Sequence, residues 1–187
     1  MILIDPGHGG SATGAQYKQG KFLAEKDLTL SIAHRVGQLC DWHGASYQMT
    51  RTTDQHVTLS ERVGQANRIQ ADVFCSIHCN WFSSSKAGGY EVWHYPGSTA
   101  GEKYAEQIVN EMISTVDLNN RGVKEADNKP DFDTTPYIKV LQGTVMPSVL
   151  VECGFLSNIK DREYLQTTDG MNAIAESIYK GLTHKGG

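Results

Sequence analysis

The chain has 187 residues, of which 39% are hydrophobic and 20% are charged, and this size and composition suit one globular domain over residues 1–187. Its formal net charge of -4, with 17 lysines and arginines that form no basic run, argues against a nucleic-acid partner. No stretch approaches the roughly 20 consecutive apolar residues of a membrane span, and no signal peptide precedes Pro6, so we expect neither membrane insertion nor an export signal.

The first half of the chain alternates between predicted strands and helices. "ILID" predicts a buried strand that feeds the turn "PGHGG", and a helical period then runs from Glu25 to a C-cap at Gly44. "SYQMT" predicts a second strand, and Thr58 with Glu61 forms the capping box of the next helix. "DVFCSIH" predicts another buried strand.

The second half continues this alternation. "GGYEVWHY" predicts a strand, "STAGEKYAEQIVNEMISTV" a helix, "PSVLVECG" a further buried strand and "MNAIAESIYKGL" a final amphipathic helix. Between them, residues 119–136 are predicted to form a surface loop. The sequence therefore predicts an α/β domain with a mostly parallel twisted sheet and helices on both faces.

The four cysteines are predicted to be buried, reduced thiols, because each lies in or beside an apolar segment. Cys75 and Cys79 are spaced C-x3-C and lack a second pair at zinc-finger spacing, so this spacing alone is a weak metal signal. If Cys79 continues its strand, it points away from the face that carries His78, which favours packing over metal ligation.

Three predicted strands lead into polar residues. The first leads to His8, the third to His78 and the last to Glu152. Sites on open α/β sheets lie at the carboxyl ends of the strands, so we expect these side chains to converge at one edge. A buried unpaired carboxylate at Glu152 would be costly, which suggests a site there.

Two histidines and one acidic residue would suffice for a catalytic zinc site, which needs three protein ligands and one open position. His8, Glu25 and His78 are the candidates. Each also has a simpler interpretation from its own surroundings. "GHGG" suits a flexible turn with one polar residue, and an acid at Glu25 favours the positive end of a helix dipole.

Other polar and aromatic residues have weaker claims to a site. We expect Asp5 to brace the imidazole of His8. The remaining histidines are predicted at the surface, with His56 and His94 as alternatives for a cleft lining; they are His34, His43, His56, His94 and His184. Four aromatic residues suit either sugar or peptide stacking or ordinary core packing: Trp81, Tyr90, Trp93 and Tyr95.

Taken together, seven stretches in order over almost the whole chain resemble the zinc-dependent N-acetylmuramoyl-L-alanine amidases of the cell-wall amidase type 3 group. They are "ILIDPGHGG", "EKDLTL", "TRTTDQHVTLSERVGQANRIQADVFCSIHCN", "GGYEVWHY", "RGVK", "VLQGTVMPSVLVECGFLSN" and "AIAESIYKGL". The resemblance implies one catalytic Zn²⁺ bound by His8, Glu25 and His78, with Glu152 as the catalytic carboxylate. It also implies an α/β fold and hydrolysis, in peptidoglycan, of the amide between the lactyl group of N-acetylmuramic acid and L-alanine.

Two other functions fit part of the pattern. A zinc peptidase cutting within the stem peptide would use a similar set of ligands and base, and an inactive wall-binding module would keep only the fold. A nucleotide-binding domain is disfavoured, because "GHGGSATG" lacks the Lys-Ser/Thr of a phosphate-binding loop.

The resemblance also sets expectations about context. We expect action on the bacterial cell wall outside the cytoplasm, as a phage lysin, an autolysin or a catalytic part of one. A separate wall-binding module or a holin-type release partner would bring the domain to its substrate. We expect a monomer.

Overall fold

A computed structural model of the chain describes residues 1–19, 22–126 and 135–184, with the backbone alone described at 135–138. The strands found there, in chain order, are β1 Ile2–Pro6, β2 Gln16–Tyr17, β3 Leu23–Ala24, β4 Tyr47–Met49, β5 Val73–Asn80, β6 Tyr90–His94, β7 Asn120–Glu125 and β8 Ser148–Phe155. The helices are α1 Glu25–His43, α2 Leu59–Ile69, α3 Thr99–Thr115, α4 Thr135–Gly143, α5 Ile159–Leu165 and α6 Thr168–Thr183.

Six of the strands form one sheet in the order β4-β1-β5-β8-β6-β7, while β2 and β3 form a separate antiparallel pair. Every neighbouring pair in the large sheet is parallel except β6 and β8, which run antiparallel. The predicted α/β fold with a mostly parallel sheet is confirmed. β1, β5 and β8 are adjacent, so the three strands that lead into polar residues have their carboxyl ends at the same edge.

Helices cover both faces of the large sheet. On one face, α1, α3 and α6 bury the larger apolar core, in which Ile4, Cys75 and Val151 of the sheet lie with Ile32 and Ile178 of the helices. On the other face, α2 and α4 pack over a smaller cluster that includes Leu3 and Phe74. Because side chains alternate along a strand, residues 74, 76 and 78 of β5 share this second face.

Several local predictions are confirmed. Thr58 and Glu61 form both hydrogen bonds of the capping box at the start of α2. α1 begins at Glu25 and ends before Gly44, which has the left-handed conformation of a C-cap. All four cysteines are buried and unpaired with one another.

The prediction of a surface loop over residues 119–136 is wrong in its first part. Asn120–Glu125 forms β7, an edge strand parallel to β6, and Thr135 begins α4. Residues 127–134 of the predicted loop lie outside the described residues. The short helix α5 and the β2–β3 pair were not predicted from the sequence.

Within the ranges given above, no helix has the length and apolar character needed to cross a bilayer.

Candidate metal centre

The three candidate ligands lie together at the carboxyl edge of the sheet. His8 follows β1 by two residues, Glu25 is the first residue of α1, and His78 is near the end of β5. Their ligand atoms all lie within 4.8 Å of one another. Glu25 and His78 are buried, and the side chain of His8 keeps 17% of its accessible surface. The cluster is thus closed on the protein side and open near His8.

Glu25 joins the two histidines. Its Oε2 lies 3.1 Å from Nε2 of His8, and its Oε1 lies 2.9 Å from Nδ1 of His78. The backbone N–H of Ala15 donates to Oε2 at 2.8 Å, and that of Cys79 donates to Oε1 at 3.0 Å. Four groups, two of them from consecutive residues of β5, therefore fix the orientation of this carboxylate.

The protonation states of this cluster suit a cation. Burial acts to raise the pKa of Glu25, but hydrogen bonds and charge interactions with His78 and His8 outweigh it and lower the pKa to about 2. Burial lowers the pKa of His78, although Glu25 opposes this change. An ionised carboxylate and a neutral imidazole are the forms that bind metals.

Two glycines allow the ligands to approach this closely. A Cβ atom at Gly7 would lie 2.2 Å from Cε1 of His78, which would overlap the ring. At Gly14 a Cβ would lie 2.4 Å from Oε2 of Glu25, and the backbone there has φ +66°. His8 itself has φ 60°, an uncommon conformation for a residue other than glycine, and such backbone conformations concentrate at functional sites.

A second layer holds the loop that carries His8. Arg62 of α2 forms a buried ion pair with Asp5, and it donates hydrogen bonds to the carbonyl oxygens of Pro6 at 2.7 Å and His8 at 2.6 Å. Arg51 donates to the carbonyl oxygen of Gly7 at 2.8 Å. Asp5, which was expected to brace the imidazole of His8, pairs with Arg62, and Arg62 in turn holds the backbone of the His8 turn. Neither arginine was predicted from the sequence to support the site.

The donor set fits zinc. Two imidazole nitrogens and a carboxylate oxygen are ligands that catalytic zinc sites use. In a tetrahedral site with bonds of 2.0–2.1 Å, neighbouring ligand atoms are about 3.3 Å apart. The separations from the two oxygens of Glu25, 3.1 and 2.9 Å, lie slightly below that value, and the whole set of ligand atoms lies within 4.8 Å.

The other candidate residues divide between surface and core. His34, His43 and His184 are exposed, as predicted. His56 is exposed and lines a cavity of about 210 Å³ together with His8 and His78. His94 is buried, so its predicted surface position is wrong: on β6 it shares the face of Val92, which packs against α3.

Cys79 belongs to the apolar core on the opposite face from His78, which supports the prediction that it packs rather than binds a metal. The four aromatic residues named as candidates lie in different environments. Tyr90 is in the core, whereas Trp81 is exposed beyond the end of β5. Trp93 and Tyr95 pack against a small cluster around Leu150.

The model of one protein family, described as N-acetylmuramoyl-L-alanine amidase, matches residues 2–184. The chain belongs to this family. A sporulation-specific N-acetylmuramoyl-L-alanine amidase of Bacillus subtilis (strain 168) is 37% identical over 184 residues, which are 97% of this chain and 66% of that protein. The N-acetylmuramoyl-L-alanine amidase CwlM of Bacillus licheniformis is 38% identical with the same coverage. The chain thus spans just under two thirds of the length of these relatives.

Solved structures of the family share the fold. The crystal structure of an N-acetylmuramoyl-L-alanine amidase from Clostridium difficile 630 superposes with a TM-score of 0.87 at 31% identity, covering 97% of this chain and 93% of that one.

In this member of the amidase family, Glu152 lies beside the candidate metal ligand His78. It is the register partner of His78 across the parallel β5–β8 pair, so both side chains leave the sheet on the same face. Glu152 is also buried. The structure therefore brings all four residues predicted from the sequence to one edge of the sheet, where His78 and Glu152 share a face.

Proposed function

We propose that the chain is a zinc-dependent N-acetylmuramoyl-L-alanine amidase, which hydrolyses the amide between the lactyl group of N-acetylmuramic acid and the L-alanine of the stem peptide. The observation that carries the proposal is the cluster of His8, Glu25 and His78 with Glu152 as the next residue across the sheet. The family match over residues 2–184 supports the choice of substrate.

His8, Glu25 and His78 would hold the zinc ion. When bound, zinc supplies Lewis acidity that polarises the amide carbonyl and makes water more acidic. The protein contributes a carboxylate that is already ionised and held by Ala15 and Cys79, so little reorganisation is needed at the site.

Glu152 acts as the general base and then as the general acid. Its carboxylate takes a proton from water as the water oxygen bonds to the lactyl carbonyl carbon. It then gives that proton to the alanine nitrogen as the C–N bond breaks, which releases a free amine and a lactyl carboxylate. Such proton transfer contributes about 10²–10⁴-fold in rate.

The test is digestion of purified peptidoglycan with and without a chelator, followed by labelling of the newly formed amino groups. N-terminal alanine that appears only without the chelator supports the proposal. Another N-terminal residue would identify a peptidase acting within the stem peptide. A purified protein without zinc and without product would identify an inactive wall-binding module.

The context of the reaction is part of the same proposal. We infer that residues 1–187 act as one catalytic domain, as a monomer, on the cell wall outside the cytoplasm. A wall-binding module or a release partner would supply the route to the substrate. Sedimentation of the purified chain tests whether it is a monomer, and its binding to intact cell walls tests whether it needs a separate wall-binding module.

A further inference from the structure

A second buried carboxylate extends the polar row beyond Glu152. Glu91, at the start of β6, is the register partner of Glu152 across the antiparallel β6–β8 pair. His78, Glu152 and Glu91 therefore stand side by side on three adjacent strands and on one face. Glu91 is only 3% exposed. It accepts hydrogen bonds from Nδ2 of Asn80 and from Nε of Arg121, both at 2.8 Å.

These contacts position Arg121 at the outer end of the row. Its guanidinium lies over the ring of Phe155, 5.0 Å from the centroid, while 36% of the side chain remains exposed. Glu91 engages Nε, and neither Nη1 nor Nη2 has a hydrogen-bond partner among the residues that the structure describes. A guanidinium held at Nε presents this outer pair of nitrogens, whose geometry suits a second carboxylate.

The order of the strands gives the direction of the substrate. The proposed ligand His78 is on β5, the proton donor Glu152 on β8, and Arg121 on β7, beyond β6. Since Glu152 protonates the leaving nitrogen, the departing peptide lies on the side of β8 and β6. Glu91 holds the guanidinium of Arg121 near β6, one strand spacing, about 5 Å, from β8. This distance matches a group on the second residue of the departing peptide.

We propose that Arg121 recognises a free carboxylate of the stem peptide, on the leaving side of the scissile bond, and so determines specificity. The inference rests on the proposed function for its direction. The glutamate that follows L-alanine is joined through its side chain, so its α-carboxyl group is free or, in amidated walls, an α-amide. Arg121 favours the free acid, because the amide lacks the charge and one of the two acceptor oxygens.

The first test measures binding, which does not require turnover. L-alanyl-D-glutamate and its α-amide, both with the γ-carboxyl group blocked as a methylamide, are titrated by calorimetry into the zinc-loaded protein. We expect the acid to bind the unmodified protein about tenfold more tightly than the amide, a typical value for a half-exposed charge-assisted pair. Equal affinities would overturn the inference, and this comparison needs no variant.

The second test uses Arg121→Gln and the control Arg35→Gln. Arg35 also donates through Nε, to Asn172, but it lies between α1 and α6 on the opposite face of the sheet. We expect Arg121→Gln to bind acid and amide equally and Arg35→Gln to keep the preference. Arg121→Lys retains the charge without the paired nitrogens, so this variant should keep only part of the preference for the acid. A preference unchanged in Arg121→Gln would contradict the proposal.

Turnover separates this inference from the proposed function. Muramoyl peptides that carry this glutamate as the α-acid or as the α-amide, with its γ-carboxyl group amide-linked in both, are compared by kcat/KM, with N-terminal alanine as the product. Loss of the acid preference in Arg121→Gln through a raised KM supports the inference. Release of alanine with the same preference in both proteins would refute the role of Arg121 and leave the amidase activity intact. No release of alanine would refute the proposed function. In that case the ratio of the affinities for acid and amide, measured by calorimetry, would still test the role of Arg121.

Discussion

Nη2 of Arg62 donates a hydrogen bond to the backbone carbonyl of His8 at 2.6 Å, so a helix on one face of the sheet holds the turn that carries a proposed zinc ligand. The same guanidinium pairs with Asp5, which is 1% exposed. One side chain therefore connects the last part of β1, the turn and α2. The position of His8, with its unfavourable backbone conformation, depends on this contact.

Replacing Arg62 by methionine should lower the free energy of unfolding by about 3–5 kcal/mol, because it leaves the Asp5 carboxylate buried without its charged partner. Zinc affinity should fall as well, since the His8 turn loses a hydrogen bond. Urea denaturation and a competitive zinc titration measure the two effects. Arg68→Met is the matched control, an exposed arginine on the same helix. Equal losses in the two variants would rule out the role given to Arg62.

Replacing Glu152 by glutamine should reduce turnover by about 10²–10⁴-fold and leave one zinc bound, because the residue moves protons and is not one of the proposed ligands. Metal content by mass spectrometry and release of N-terminal alanine are the two measurements. Glu163→Gln, on the exposed side of α5, provides the control. Near-native cleavage by Glu152→Gln would show that another group is the base.

Replacing Gly14 by alanine should weaken zinc binding, since the new methyl group would lie 2.4 Å from Oε2 of Glu25. Gly44→Ala separates this effect from backbone strain. Gly44 has nearly the same φ, +70° against +66°, but no neighbour within 4 Å of its Cβ position. Both variants should lose about 1 kcal/mol of stability from the left-handed conformation. Only Gly14→Ala should also lose zinc affinity in a chelator competition, and equal zinc affinities would contradict the steric argument.

The four thiols should resist alkylation in the folded protein. Burial raises the pKa of Cys79 and of Cys153, and burial with the nearby Asp41 raises that of Cys40 to about 11. A raised pKa keeps each thiol protonated at neutral pH, and the thiolate is the reactive form. Iodoacetamide labelling followed by mass spectrometry should therefore detect modification only after unfolding. Fast labelling of Cys79 at pH 7 would show that the site opens in solution.

Much of this site could be predicted because each of its parts has a local signal. Buried strands show as apolar runs, the first helix shows as a period from Glu25, and parallel strands place their ends together. His8, His78 and Glu152 follow directly from those facts. The support from Arg62 and Arg51 could not be predicted, since it joins residues more than 40 positions apart through backbone carbonyls.

The errors also have physical causes. β7 contains a glycine and three charged residues in "NRGVKE", because an edge strand with half-exposed side chains does not need an apolar run. The alternating pattern of β6 is the same whether His94 faces solvent or a helix, so the sequence does not distinguish the two. Only the packing of α3 against β6 shows that the face of His94 is covered. α5 has 7 residues, too few for a helical period to be recognised.

The antiparallel direction of β6 determines where the chain passes between β5 and β6. The chain leaves β5 and enters β6 at the same edge, so residues 81–89 pass over the end of β8. Hydrogen bonds hold this connection at both ends: the backbone N–H of Phe82 donates to the hydroxyl of Ser157, and that of Gly89 donates to the carboxylate of Asp161. Residues 83–86 between them are exposed. Insertions there would lengthen the loop without shifting any strand. A loop attached in this way can change in length while β5 and β8, with His78 and Glu152, stay in place.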